Sequence, residues 1–207
     1  MRNFEIERAR PDDERAAVAS LARAFHDDPL FNFFMADLVT QAHGLLHFMG
    51  AGYADAKAFG EIWTARADNG PCAGAAVWLP PGTYPRTPGR EALTYLRGAR
   101  TFTRVGRKIV PSLKLLAAVD RAHHTIDVPH WYLAILGVDP SFQRTGAGTA
   151  LLQPVLARCD ADATIAYLET QKEENVSWYR RHGFTVVDVI DVAGCPPIWT
   201  LLREPRG

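Results

Sequence analysis

Residues Trp131-Tyr132-Leu133-Ala134-Ile135-Leu136-Gly137-Val138 form an almost unbroken apolar run of strand length. A strand with one wet face alternates apolar and polar residues; this one does not, so it reads as a strand covered on both faces. Asp139-Pro140 stops it, and a loop containing Gly146 and Gly148 follows. Ala147–Arg158 has helical character, although Pro154 lies inside it and should kink it or free a carbonyl. Thr164–Leu168 reads as the next strand. A buried strand, a glycine loop, a helix and another strand make a mixed α/β fold the expectation.

The remaining segments fit that class. Asn3–Ala9 alternates as a short strand, and Pro11-Asp12-Asp13-Glu14 opens a helix with acids in its first turn. Val18, Leu21, Ala22 and Phe25 recur at helical spacing until Asp27-Asp28-Pro29, after which Phe31, Phe33, Phe34 and Met35 cluster. A helix is expected over Leu38–Ala58. Glu61–Ala67 and Ala73–Leu79 flank Asp68-Asn69-Gly70-Pro71 as a hairpin. Pro80-Pro81-Gly82 ends that unit, and residues 90–120 read as helical. Asn175–His182 is a short helix closed by Gly183, and Thr185–Val192 and Pro197–Leu202 supply the last strands.

Composition narrows the function classes. At 207 residues the chain is expected to be one domain, with a core large enough to need no disulfide or metal. Lys plus Arg and Asp plus Glu are 23 each, so the net charge is zero and no nucleic-acid partner is indicated. The charge is nevertheless uneven: Arg86 to Lys114 holds eight Lys/Arg against one acid, Glu91, a local +7. On a helical wheel Arg97, Arg100, Arg104, Arg107 and Lys108 share one arc, with Tyr95, Ala99, Phe102, Val105 and Ile109 opposite. That is a solvated basic face or an anion- or partner-facing stripe. No stretch approaches 18 apolar residues, so no membrane span is expected. The N-terminus has no signal or transit character, and Cys72, Cys159 and Cys195 read as reduced thiols of a cytoplasmic protein. His123 and His124 are adjacent rather than four apart, so no metal site is expected.

Gln143-Arg144-Thr145-Gly146-Ala147-Gly148 precedes a helix N-terminus, where free N–H groups and a partial positive charge can hold a phosphate. It matches neither a dinucleotide-binding fingerprint nor a Walker loop. Taken with Val138-Asp139-Pro140 before it, Leu168-Glu169-Thr170 and Asn175-Val176-Ser177-Trp178-Tyr179-Arg180-Arg181-His182-Gly183-Phe184 after it, the order resembles the GNAT superfamily of acetyl-CoA-dependent N-acetyltransferases. The likeness covers residues 130–203. His130-Trp131-Tyr132-Leu133-Ala134, Gly137-Val138, Leu168-Glu169-Thr170 and Pro154 are most similar to the puromycin N-acetyltransferase branch.

The resemblance implies a mostly antiparallel, twisted central sheet in which one parallel strand pair splays to admit acetyl-CoA. Leu136, Gly137 and Val138 would receive the pantetheine, and Gln143, Arg144, Thr145, Gly146, Ala147, Gly148 and Thr149 the pyrophosphate. Asn175 would hold the CoA arm and Tyr179 would protonate the departing thiolate. Glu169, with His130 as a second candidate, would take the proton of the attacking amine. The expected reaction is direct transfer to a primary amine of a small molecule. A peptide or protein acceptor, and a non-catalytic acyl-CoA sensor, remain alternatives at this level. A homodimer is suggested by the resemblance and the aromatic-rich N-terminal segment. Residues 1–80, 86–125 and 130–203 would be the N-terminal, basic helical and cofactor-binding portions of the one domain.

Overall fold

The computed structural model describes residues 3–35, 37–67, 70–102 and 108–206. Among these residues seven strands make one sheet: β1 (Phe4–Arg8), β2 (Glu61–Ala67), β3 (Cys72–Leu79), β4 (His130–Val138), β5 (Ile165–Thr170), β6 (Thr185–Ile190) and β7 (Ile198–Arg203). Their spatial order is β1-β2-β3-β4-β5-β7-β6. All neighbours are antiparallel except β4 and β5. Among the described residues seven α-helices flank it: α1 (Glu14–Ala24), α2 (Pro29–Phe34), α3 (Leu38–Phe59), α4 (Pro88–Phe102), α5 (Ile109–His123), α6 (Ala147–Ala161) and α7 (Glu173–Arg181).

The sheet divides two cores. On one face Leu21 of α1, Phe31 and Phe34 of α2, Met49 and Tyr53 of α3 and Leu115 of α5 pack with Val77, Leu79 and Ile135. On the other, Leu151, Leu152, Val155 and Leu156 of α6 and Tyr179 of α7 pack with Trp78, Trp131, Leu133 and Leu168. All eight residues of β3 are buried. This is why β3 and β4 carry apolar runs rather than alternation: both faces are covered.

The parallel pairing is short. His130–Leu133 pair with Ile165–Leu168, and beyond those four rungs the strands diverge. On its other edge β4 meets β3 with Val77 opposite Ile135 but Trp78 opposite Leu133, so Ala134 is an extra residue. A bulge bends its strand and raises the local twist. Here it falls one residue past the last parallel rung, and its bend accounts for the divergence.

Several expectations change in detail. Within residues 90–120 the described residues form α4 and α5, and 103–107 lie outside the described residues. Arg104, Arg107 and Val105 therefore lie outside them, as do the side chains of Arg100, Tyr95, Ala99 and Phe102. Asp68 and Asn69 of the hairpin turn also lie outside. Lys108 turns inward: its Nζ donates to the Phe33 carbonyl at 2.8 Å and lies 4.7 Å from the Phe33 ring centre. Residues 29–34, expected only as an aromatic cluster, form α2, because the Asp28 carboxylate accepts from the Leu30 N–H at 2.9 Å and Pro29 suits the first turn. Pro154 sits within α6, which nonetheless runs unbroken to Ala161.

Two more of the basic residues, Arg86 and Arg90, are used internally. Asp55 of α3, 3% exposed, accepts from Arg90 at 2.7 and 2.8 Å and from Arg86 at 3.0 Å. Burial alone would raise the Asp55 carboxyl, but the Arg90 hydrogen bonds and the Arg86 and Arg90 charges together hold it below its ordinary 3.8. Its contribution to stability is thus complete above that value and is lost as pH falls through the lower folded-state pKa. Asp55→Ala leaves both guanidinium groups short of their partner and should cost about 3 kcal/mol in urea denaturation at pH 7. The difference from wild type should shrink as pH falls through the lowered folded-state pKa of Asp55.

Candidate active site at the splayed strands

The divergence of β4 and β5 opens a groove of about 300 Å³. One wall is the β4 backbone at Leu136, Gly137 and Val138, the floor is the loop and first turn of α6, and the other wall is α7 with Asn175, Trp178 and Tyr179. The exit of β4 is pinned. Asp139 accepts from the Ser141 N–H at 3.0 Å and hydroxyl at 2.6 Å, and pairs with Arg23 of α1. Burial raises the Asp139 carboxyl, and the Ser141 and Arg23 hydrogen bonds more than offset it, holding the pKa down.

The floor is shaped by two left-handed residues, Arg144 at φ 61° and Gly146 at φ 99°. Alternating such residues with ordinary ones turns successive N–H groups to one side and makes an anion-binding concavity. Gly146 is also the residue that starts α6, and no side chain caps that helix. The first-turn N–H groups near the groove-lining Gly148 and Thr149 therefore carry the helix's partial positive charge. A Cβ at Gly148 would stand 3.3 Å from the Trp178 ring, so the close approach of α7 requires a small residue. Thr149 Oγ1 lies 3.3 Å from His182 Nε2, and Trp178 packs edge-on to the same ring at 4.5 Å. Asn175 Nδ2 donates to Thr170 Oγ1 at 3.2 Å, tying α7 to the end of β5.

Tyr179 is 7% exposed and packs edge-on to Phe184 at 5.7 Å. Burial pushes its phenol above the ordinary value of 10, so it is a proton donor, not a tyrosinate, at neutral pH. It lines the groove and also a second chamber of about 460 Å³. The two cavities share Phe25, Asp28, Leu136, Asn175 and Tyr179. The chamber is walled by aromatic and aliphatic side chains from α2, α3 and β3, and Asp28, Glu91, Asp120 and Glu169 line it together with the Asp55–Arg86 pair. Glu169 sits one residue beyond the last parallel rung. Burial raises the Asp28 carboxyl, only partly countered by the Leu30 N–H and the Lys172 charge.

The sequence-derived candidates thus fall in three places. Leu136, Gly137, Val138, Gln143, Arg144, Gly146, Gly148, Thr149, Asn175 and Tyr179 line the groove, and Glu169 lines the chamber beside it. Thr145 and Ala147 line neither: the Thr145 hydroxyl donates to the Phe142 carbonyl and Ala147, 1% exposed, faces the core. His130 is buried at the start of β4 and touches neither cavity. Sequence reasoning passed over Phe25, Asp28 and Lys172. Asp28-Pro29 reads as a helix break in the chain, and only the fold brings that break to the junction of the two cavities.

Residues 103–186 match the family model described as Acetyltransferase (GNAT) domain. Three solved structures share the whole fold. One is described as histone acetyltransferase HPA2 and related acetyltransferase from Corynebacterium glutamicum (TM-score 0.72, 22% identity, 100% of this chain and 98% of that one). Another is arylalkylamine N-acetyltransferase 2 from Aedes aegypti (0.64, 14%, 99% and 100%). The third is a polyamine N-acetyltransferase from Drosophila melanogaster (0.61, 15%, 98% and 100%), whose description has it forming N-acetylagmatine. The matched GNAT segment runs across β4, α6, β5 and α7, the elements that build the groove, and the fold is shared with these structures end to end.

Proposed function

We propose that the protein transfers the acetyl group of acetyl-CoA to the primary amine of a small molecule, by direct attack with both substrates bound. The observation that carries this reading is the junction of the two cavities at Leu136, Asn175 and Tyr179. The groove fits acetyl-CoA. Its floor offers backbone N–H groups, Arg144 and Lys172 to the phosphates, and its β4 wall has lost its β5 partner beyond Leu133, leaving an edge that an extended pantetheine can line. The chamber fits a compact amine. Its volume lies in the range of small-molecule sites, its walls are aromatic, and its acids attract an ammonium ion.

Glu169 is the proton acceptor in this reading and Tyr179 the proton donor to the leaving thiolate. Main-chain N–H groups of the β4 bulge stabilise negative charge developing on the thioester oxygen. The arylalkylamine and polyamine substrates in the descriptions of two structural neighbours, and the puromycin N-acetyltransferase-like motifs of β4 and β5, support a small amine as acceptor.

Calorimetry with acetyl-CoA should give micromolar binding at about one per chain, and Gly146→Val should weaken it at least about 100-fold. A side chain at φ 99° is strained and fills the anion cradle. Retained affinity in that variant would overturn the cradle.

Tyr179→Phe should keep acetyl-CoA affinity and lower turnover of an amine about 10²–10⁴-fold. Tryptamine, spermidine and a peptide N-terminus serve as test acceptors. Because the phenol is raised by burial, wild-type turnover should show no loss from its ionisation up to about pH 10. Unchanged turnover in Tyr179→Phe removes the acid assignment, and acetyl-CoA binding with no transfer to any amine favours a sensor.

A further inference from the structure

Behind Glu169, away from the chamber, the last residue of α5 and the first of β4 bring two buried histidines together. His130 Nδ1 lies 2.8 Å from the Val128 carbonyl. A carbonyl only accepts, so Nδ1 carries a proton. Burial lowers the His130 pKa, and the Val128 and Glu169 contributions offset it only in part, so the ring is neutral and its Nε2 bare. His123 Nε2 lies 2.8 Å from that bare nitrogen and must donate to it. A neutral His123 then presents a lone pair at Nδ1. That atom is 3.4 Å from Glu169 Oε1, with side chains 2% and 7% exposed, and neither atom has another hydrogen-bond partner.

Two buried acceptors therefore face each other with no proton between them. One added proton completes the chain in any of three positions: on Glu169, on His123, or on His130 with both bonds between the histidines and Glu169 reversed. These are one proton moved along one line. We propose that Glu169, His123 and His130 form a relay that takes a proton from the substrate ammonium at Glu169 and passes the charge outward to His130, beside the exposed Val128. Glu169 is the catalytic residue; His123 and His130 are positioning residues that act through it. In the step one N–H bond of the ammonium breaks, its electron pair stays on nitrogen, and the relay gains that proton. The inference rests on the amine chemistry proposed above.

Other groups face the cluster. The Tyr84 ring stacks on His123 at 3.8 Å, and Tyr132 and Tyr167 lie 4.5 and 4.6 Å from it. Burial, then the Glu169 charge, pushes all three phenols up, so they stay neutral and cannot take the proton. Arg86 lies over Tyr84, Asp120 accepts from its hydroxyl and His124 flanks its ring. Among the described residues no group of three or more His, Cys, Asp or Glu is arranged to hold a metal ion, this cluster included.

The test begins without substrate. ¹⁵N NMR of the histidine side chains, assigned with His123→Asn and His130→Gln, should show His130 protonated at Nδ1 and a hydrogen bond joining the two Nε2 atoms. Glu169→Gln removes a charge that raises the His130 pKa and should lower the His130 titration by at least one pH unit. Absence of that hydrogen bond, or a His130 titration unmoved by Glu169→Gln, would overturn the relay. With whichever of tryptamine or spermidine the wild type acetylates, His123→Asn should lower kcat about 10–100-fold. It should shift the acid limb of kcat/KM by at least one pH unit, with the KM values unchanged. A loss of folded protein alone would not move that limb. Coupled histidines with no amine transfer would sink the acetyltransfer reading and spare the relay; amine transfer with uncoupled histidines would do the reverse.

Discussion

Four rungs of parallel pairing between β4 and β5 control the rest of the site. A further rung would narrow the groove, and a missing one would weaken the parallel joint between the two halves of the sheet. The limit is set on the opposite edge of β4, where the extra residue Ala134 interrupts the register with β3. Beyond it the edge of β4 that faces the groove has no strand beside it, and the Val138 carbonyl is taken by the Gln143 amide at 3.2 Å. Backbone groups held away from bulk water demand partners, so an extended polar ligand in the gap satisfies what the bulge has left open.

The same bend explains residues that look like ligand contacts but are held by packing. A Cβ at Gly137 would come within 2.9 Å of both Ala24 and Leu21 of α1, and one at Gly74 within 2.5 Å of the Gly137 carbonyl. Gly137 is thus required by the fold before any cofactor arrives: it lets α1 lie against the bulged strand. That contact carries Phe25 and Asp28, just past the end of α1, to the lip where groove and chamber meet. Packing alone is enough to require glycine at this position.

What the chain reveals in advance follows the range of each interaction. The β4 strand, the glycine loop, α6 and α7 are local patterns, and the groove is assembled almost wholly from them. Within the loop, spacing marks a unit but not which residues face inward; that depends on the left-handed turns at Arg144 and Gly146, which send Thr145 toward Phe142 and Ala147 into the core. The chamber is another matter. Asp28, Asp55, Asp120 and Glu169 come from four separate elements. The meaning of Arg86 and Arg90 cannot be read until Asp55, 31 and 35 residues earlier, is seen between them. His123 is uninformative beside His124 in the chain, and becomes chemical only when the end of α5 meets the start of β4.

Charge pairing across those distances also gives the site a direction. The chain is neutral overall, yet its ions are not spread evenly around the cavities. Asp55 engages Arg86, which lines the chamber, and Arg90, so Asp28, Glu91, Asp120 and Glu169 set the sign there. At the groove end Arg144, Lys172 and the uncapped start of α6 set the opposite sign, with Glu174 opposing them. Under the proposed reaction this arrangement would direct a polyanion and an ammonium ion to opposite sides of Tyr179. In partly enclosed cavities such a field is screened less than at an open surface, so under the proposed reaction electrostatics would set the relative orientation of the two substrates before shape selects among amines.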